Sequence, residues 1–135
     1  MKPFEIIPHE GDLCLKAAGK NQRELFRNAL LGINSLLSRA ENSRTATSQR
    51  EIKISSENVD SLLVDFLNEI LSMAHLNNEF YFDCIFSSLT QTDLEGKLLG
   101  TRVDIFDEDV KSVSHHKAEV IKHADRYSVM LILNI

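Results

Sequence analysis

The sequence predicts an α+β fold: two long helices packed on one face of a mostly antiparallel β-sheet. Three observations carry this expectation. Apolar residues recur at helical spacing in two stretches of the first half, they alternate at strand spacing through most of the second half, and polar turn segments separate the second-half runs. At 135 residues the chain has the size of one domain, 1–135, with enough core to fold alone.

Taken in order, Phe4 to Ile7 and Asp12 to Ala18 read as extended, with Leu13, Leu15 and Ala17 alternating against Cys14, Lys16 and Ala18. Asn21 then caps a helix, with Glu24 placed as in a capping box and Leu25, Phe26, Ala29, Leu30, Ile33, Leu36 and Leu37 forming its buried stripe. Ala40 to Gln49 is rich in Ser, Thr, Asn and Arg and reads as a flexible loop. Glu51 to Ser55 starts a strand. The second helix covers Val59 to Leu71, capped by Ser56 or Asn58. Its apolar stripe is Val59, Leu62, Leu63, Phe66, Leu67 and Ile70, and Asp65, Asn68, Glu69 and Ser72 fall on the opposite face.

Leu76-Asn77-Asn78 turns the chain, and strands follow at Phe80 to Leu89, Leu94 to Val103, Ser114 to His123 and Tyr127 to Leu133. Ala124-Asp125-Arg126 reads as the last hairpin turn. The continuous apolar run Leu131-Ile132-Leu133 suits a central strand buried on both faces, which would hold the residues after it in a defined place.

Composition narrows the function classes. A formal net charge of -5 argues against a broad electrostatic grip on nucleic acid and for a protein partner. Cys14 and Cys84 lack a Cys-x-x-Cys arrangement and read as reduced, packing thiols. No leader or membrane span is legible, so a cytoplasmic place with no membrane contact is expected. There is no nucleophile elbow, Gly-rich phosphate loop or zinc-hydrolase motif. Asp104, Asp107, Glu108 and Asp109 lack the spacing of a calcium loop and read as solvated, while His115 and His116, adjacent on an expected strand, project to opposite faces. The residues themselves offer one candidate donor set. Asp12, Asn134 and the terminal carboxylate of Ile135 are hard oxygen ligands of the kind Ca²⁺ and Mg²⁺ take, although carboxylates at strand ends usually just face water.

Four segments in chain order resemble one family, the archeases. Leu62-Leu63-Val64-Asp65-Phe66-Leu67-Asn68-Glu69-Ile70-Leu71 is similar to its Leu-Leu-Val-Asp-(Trp or Phe)-Leu-Asn-Glu-Leu-Leu helix, and His9-Glu10-Gly11-Asp12-Leu13 resembles its His-Thr-Ala-Asp-Ile. Val110 to His116 resembles its Ile-Lys-Ala-Val-Thr-Tyr-His, and Leu131 to Ile135 its terminal Val-Ile-Leu-Asp-Ile. The resemblance implies the same layout and a divalent-metal site, with Ca²⁺ the candidate ion, on Asp12, Asn134 and Ile135, with His9 beside it. Asn134 replaces an Asp and removes a unit of negative charge, which weakens any cation held there. Lys111 becomes a candidate functional contact for a phosphate, a nucleotide or an acidic partner group.

The implied function is that of an accessory protein, not an enzyme. It would activate an RtcB-type RNA ligase by promoting guanylylation of the ligase and multiple turnover in tRNA splicing or RNA repair. GTP and RNA would be handled by the ligase. Two alternatives stand beside it: a small metal-dependent enzyme acting on a phosphate or nucleotide, and a chaperone-like interaction domain for RNA-modifying proteins.

Overall fold

The structure, a computed structural model, describes residues 2–38 and 45–135, with the side chain of His9 outside the described set. Among these residues run eight strands and two helices: β1 (Phe4–His9), β2 (Asp12–Gly19), α1 (Gln22–Leu37), β3 (Ser48–Ser55), α2 (Val59–Asn77), β4 (Glu79–Leu89), β5 (Asp93–Arg102), β6 (Ser112–Val113), β7 (Ile121–His123) and β8 (Arg126–Asn134). The class is α+β and every strand pairing is antiparallel.

The strands form two sheets where the sequence reading had one. The first has the order β1-β2-β8-β6, with β7 also on β8, and the second has the order β3-β5-β4. Helix α1 meets β1, β2 and β8 of the first sheet and β4 of the second, and α2 meets β6 of the first and β3 and β4 of the second. Alternation in a sequence reveals which face of a strand is apolar but not which strand lies beside it, so the division into sheets was not legible.

Local signals account for most element ends. Glu10 and Gly11, at φ 41° and 90°, make the two-residue turn between β1 and β2, the geometry that a tight hairpin favours and that glycine tolerates. The Asn21 side chain accepts a hydrogen bond from the Glu24 amide at 2.8 Å, the expected cap of α1. For α2 the cap is Asn58, whose Oδ1 accepts from the Ser61 amide at 2.9 Å. That helix continues through Leu76 and Asn77, which had read as a turn, and stops at Asn78 in the left-handed conformation, φ 54°. β3 begins at Ser48 instead of Glu51, because Ser48 to Arg50 pair with Gly100 to Leu98 of β5. Of the expected loop from Ala40 to Gln49, residues 40–44 lie outside the described residues.

The helices close the core between the sheets. Phe66 of α2 packs at 5.7 Å between ring centroids against both Phe26 of α1 and Phe86 of β4, joining three elements at one fully buried side chain. Truncating such a side chain costs about 3–5 kcal/mol. Helix α1 rides so close to β2 that a Cβ at Gly32 would collide with Leu15 Cδ1, which explains a glycine inside a helix. Asn34, the buried polar residue of α1, donates to the Tyr81 carbonyl at 2.9 Å. The register of β4 against β5 slips between Tyr81 and Asp83, and such bulges release a carbonyl from the ladder.

Both cysteines are free and buried, in line with packing thiols, and burial pushes the Cys84 thiol up to about 12. The buried carboxylate Glu79 is fully engaged. Arg50 Nε donates to Oε1 at 2.9 Å, Tyr81 Oη donates to the same oxygen at 2.6 Å, and Asn77 Nδ2 donates to Tyr81 Oη at 3.1 Å. The hydrogen bond from Arg50 outweighs burial and holds the Glu79 carboxyl below the ordinary carboxylate range. A carboxyl whose pKa falls on folding stabilises the fold above its unfolded pKa, and that contribution disappears as pH drops through the folded value. Urea midpoints of the native chain should therefore fall as pH is lowered below 4.5, the ordinary value for Glu. A Glu79→Gln variant should have a lower midpoint at pH 7 and a shallower loss on the acid side; an unchanged acid slope would contradict the assignment.

Candidate functional site

Strand β8 runs between β2 on one side and β6 and β7 on the other. Its Val129, Leu131 and Leu133 are buried in the core, so alternation gives Met130, Ile132 and Asn134 to the outer face of the sheet. Ile132 is half-buried there, so this strand is sealed on the core face only and not on both as its apolar run suggested. On β2, Leu15 and Ala17 enter the core, which leaves Asp12, Cys14 and Lys16 on the outer face. The register pairs Leu13 with Leu133. Asp12 and Asn134 are the next residues beyond that pair on their strands, and alternation sets both on the outer face. Ile135 follows at the same end of the sheet. The three positions singled out as candidate oxygen donors therefore lie at one end of this sheet.

A second strand holds Asn134 from the other side. Ser112 pairs with Asn134 in register, and Asn134 Nδ2 donates to Ser112 Oγ at 2.8 Å. The Lys111 amide donates to the Asn134 carbonyl at 2.8 Å, and the Ser114 amide to the Ile132 carbonyl at 2.9 Å. Two residues are too few to make β6 persist alone. Helix α2 supplies the missing support, since Asn68 Nδ2 donates to the Val113 carbonyl at 3.0 Å and Asn68 Oδ1 accepts from the Val113 amide at 2.7 Å. One side-chain amide replaces a neighbouring strand.

The rest of the polar face of α2 does the same for the segment after β6. Asp65 Oδ1 lies 2.9 Å from His115 Nε2, and Asp65 Oδ2 accepts from Ser56 Oγ at 2.6 Å. Asp60 Oδ1 accepts from the Val120 amide at 2.7 Å. These bonds correct the expectation of a strand from Ser114 to His123: only Ser112–Val113 and Ile121–His123 pair with β8, and Lys117 between them has φ 61°. Beyond Ser114, the His115 ring and the Val120 amide turn to α2. His115 and His116 therefore do not alternate across a sheet. Sequence reasoning missed Asn68, Asp60 and Ser112 as site-supporting residues; the available signal was an Asn inside a helix, where its amide usually weakens the helix unless it has a partner.

The remaining candidates stand apart. His9 is the register partner of Asp12, and its side chain lies outside the described residues. The Lys111 side chain is exposed and borders an open groove of about 430 Å³ along α2, shared with Ser72, His75 and Asp109. In the acidic loop, Asp109 Oδ1 lies 3.0 Å from His75 Nε2. Among the described residues no group of three or more His, Cys, Asp and Glu side chains could hold a metal ion. The Asp12 end offers a different donor set. It has one side-chain carboxylate and Asn134 Oδ1, which accepts no hydrogen bond among the described residues, on an amide whose nitrogen is committed to Ser112. Hard oxygens of low total charge fit a weakly held hard cation and not a soft metal.

Comparison with known proteins follows the same outline. The model of the archease protein family (MTH1598/TM1083) matches residues 4–135. The chain is similar to protein archease of Methanosarcina barkeri, 28% identical over 142 residues that cover 99% of this chain and 97% of the relative. It is also similar to protein archease of Sulfurisphaera tokodaii, 26% identical with both chains fully covered. Among solved structures, Methanobacterium thermoautotrophicum protein 1598 superposes with a TM-score of 0.78 at 26% identity, with both chains fully covered. A Thermotoga maritima protein described as an archease and possible chaperone shares the fold, with a TM-score of 0.64 at 12% identity over 96% of this chain and 94% of its own.

The clamp between α2 and β6 yields a direct test. Asn68→Ala removes the partners of both backbone groups of Val113 and should lower stability by about 1–3 kcal/mol in urea unfolding. Native-state hydrogen exchange at Val113 should accelerate more than at β2 amides. Equal acceleration throughout the sheet, or none, would show that β6 does not depend on Asn68.

Proposed function

The chain belongs to the archease family, and from that premise we propose that it is an accessory protein that activates an RtcB-type RNA ligase. It promotes guanylylation of the ligase and multiple turnover in tRNA splicing or RNA repair, in the cytoplasm. The observation that carries this reading is the convergence of Asp12 and Asn134 on the outer face of one sheet end, with Ile135 next in the chain and the motif helix α2 bracing that end through Asn68. All four family-like segments meet at this end of the sheet.

The proposed mechanism is differential binding. The ligase equilibrates between resting and guanylylation-competent states, and the accessory protein accelerates the reaction only by interacting more strongly with the competent state or its transition state. Asp12 supplies a carboxylate with no hydrogen bond or ion pair among the described residues, so it is available to orient a polar group or a cation at the ligase's nucleotide site. Asp12, Asn134 and Ile135 would hold a divalent cation if one enters, and the cation would supply positive charge beside phosphoryl oxygens. GTP and RNA are handled by the ligase, and Lys111 is the proposed additional contact. A chaperone-like interaction role draws support from Met130 and Ile121, large apolar side chains exposed at 47% and 52% on strands β8 and β7.

Multiple-turnover RNA ligation by an RtcB-type ligase from the same organism distinguishes these readings. The native chain should raise product well beyond one per ligase, and Asp12→Ala, folded by circular dichroism, should lose about tenfold or more of that stimulation. Absence of stimulation by the native chain across metals and GTP concentrations would sink the proposal. Full stimulation by Asp12→Ala would remove Asp12 from it.

A further inference from the structure

Strand β3 is an edge of the β3-β5-β4 sheet, and its outer side has no partner strand among the described residues. The Ser56 amide donates to the Thr92 carbonyl at 2.8 Å, and that pair continues the Ser55–Asp93 register, so Arg50, Ile52 and Ile54 turn their backbone groups toward β5. The amides and carbonyls of Gln49, Glu51, Lys53 and Ser55 therefore point away from the sheet, as a row of donors and acceptors at the spacing of a further antiparallel strand. The side chains of these residues are exposed.

Edge strands commonly carry charges that repel a second copy. On β3 the charges do the opposite. Glu51 and Lys53 flank Ile52 symmetrically, so when a second β3 runs antiparallel with the two copies of Ile52 opposite each other, Glu51 of each copy stands across from Lys53 of the other. This register makes Glu51 and Lys53 a hydrogen-bonded pair and the two Ile52 residues a non-hydrogen-bonded one, as the outward direction of the Glu51 and Lys53 backbone groups requires. Registers centred on Glu51 or on Lys53 would set that charge against its own copy.

The pairing inside the chain extends the pattern. Lys53 is opposite Glu95, with Nζ 3.3 Å from Oε1, and Glu51 is opposite Lys97. Across the joined sheet the outer-face charges alternate in sign without a break, from Glu95 and Lys53 of one copy to Glu51 and Lys97 of the other. On the inner face Arg50, whose Nε is held 2.9 Å from Glu79 Oε1, stands across from half-buried Ile54 and covers it with its aliphatic stem.

We infer that β3 is a homodimerisation strand, pairing antiparallel with β3 of a second copy about Ile52 and joining the β3-β5-β4 sheets of the two copies into one. The partner is a second copy because the charge pattern is complementary to itself. One strand against one strand is a small contact, so the dimer is weak and salt-sensitive. β3 belongs to the sheet that does not carry Asp12 and Asn134, and the dimer is measured without a ligase.

Sedimentation equilibrium of the full chain from low micromolar to near-millimolar concentration should show a monomer–dimer equilibrium that shifts to monomer with added salt. Hydrogen exchange locates the interface: the amides of Glu51 and Lys53 should gain protection as concentration rises, while those of Ile52 and Ile54, already bonded to β5, should change little. Glu51→Lys and Lys53→Glu, each alone, should raise the dissociation constant about tenfold or more. Mixed together they should associate again, because one then carries lysine at both positions and the other glutamate at both, and that recovery also shows that both variants are folded. A chain that is monomeric at every concentration, with its edge left to another protein's strand, would overturn the inference. So would a dimer whose Glu51 and Lys53 amides exchange as fast as the monomer's, variants that dimerise alone as well as the native chain, or variants that fail to associate when mixed.

Discussion

One side chain fixes the end of the molecule that carries the candidate site. Asn68 hydrogen-bonds both backbone groups of Val113 and so keeps a two-residue strand in place against β8. Without it β6 would be an isolated pair of residues at the edge of a sheet, and Lys111 and Ser112 would have no reason to stand beside Asn134. The apolar stripe of α2 makes the core, with Phe66 at its junction. The polar letters of the same helix hold the segment beside the candidate site. That double use explains why one helix carries so specific a sequence, since a helix that only closed a core would leave its opposite face free to vary.

How legible this was depended on distance along the chain. Local devices were readable: the Asn21–Glu24 cap, the stripe from Leu25 to Leu37, and the hairpin at Ala124, which has φ 55°. The apolar run before the candidate donor Asn134 was readable as a strand, and it forms β8, whose pairing with β2 begins at Leu13 and Leu133, one residue from Asp12 and Asn134. The partners of α2 were not readable. Asp60 reaches Val120 across 60 residues and Asn68 reaches Val113 across 45, and nothing in a helical polar face shows whether water or a distant backbone will satisfy it. The same gap produced the over-long strand from Ser114 to His123. Its alternation was genuine, but its hydrogen-bonding groups had a competing destination on α2.

The two sheets differ on their outer faces in a way that suits an interaction protein. On the β3-β5-β4 sheet, Lys53 and Glu95 pair at 3.3 Å in a ladder of charges open to water. On the other sheet, half-buried Ile132 and exposed Met130 lie along β8, the strand that ends in Asn134. A polar site at the rim of an apolar sheet face is a common arrangement where one protein reads another, with the apolar surface supplying area and the polar group supplying selectivity.

The central claim is that this chain acts on a ligase through the Asp12 end and does no covalent chemistry itself. Single-turnover transfer of GMP from labelled GTP to an RtcB-type ligase, followed with and without the chain at fixed metal, tests it most directly. The account predicts a faster appearance of ligase-GMP with the native chain and no label on the chain itself. An unchanged rate of guanylylation, or label retained by the chain, would contradict it.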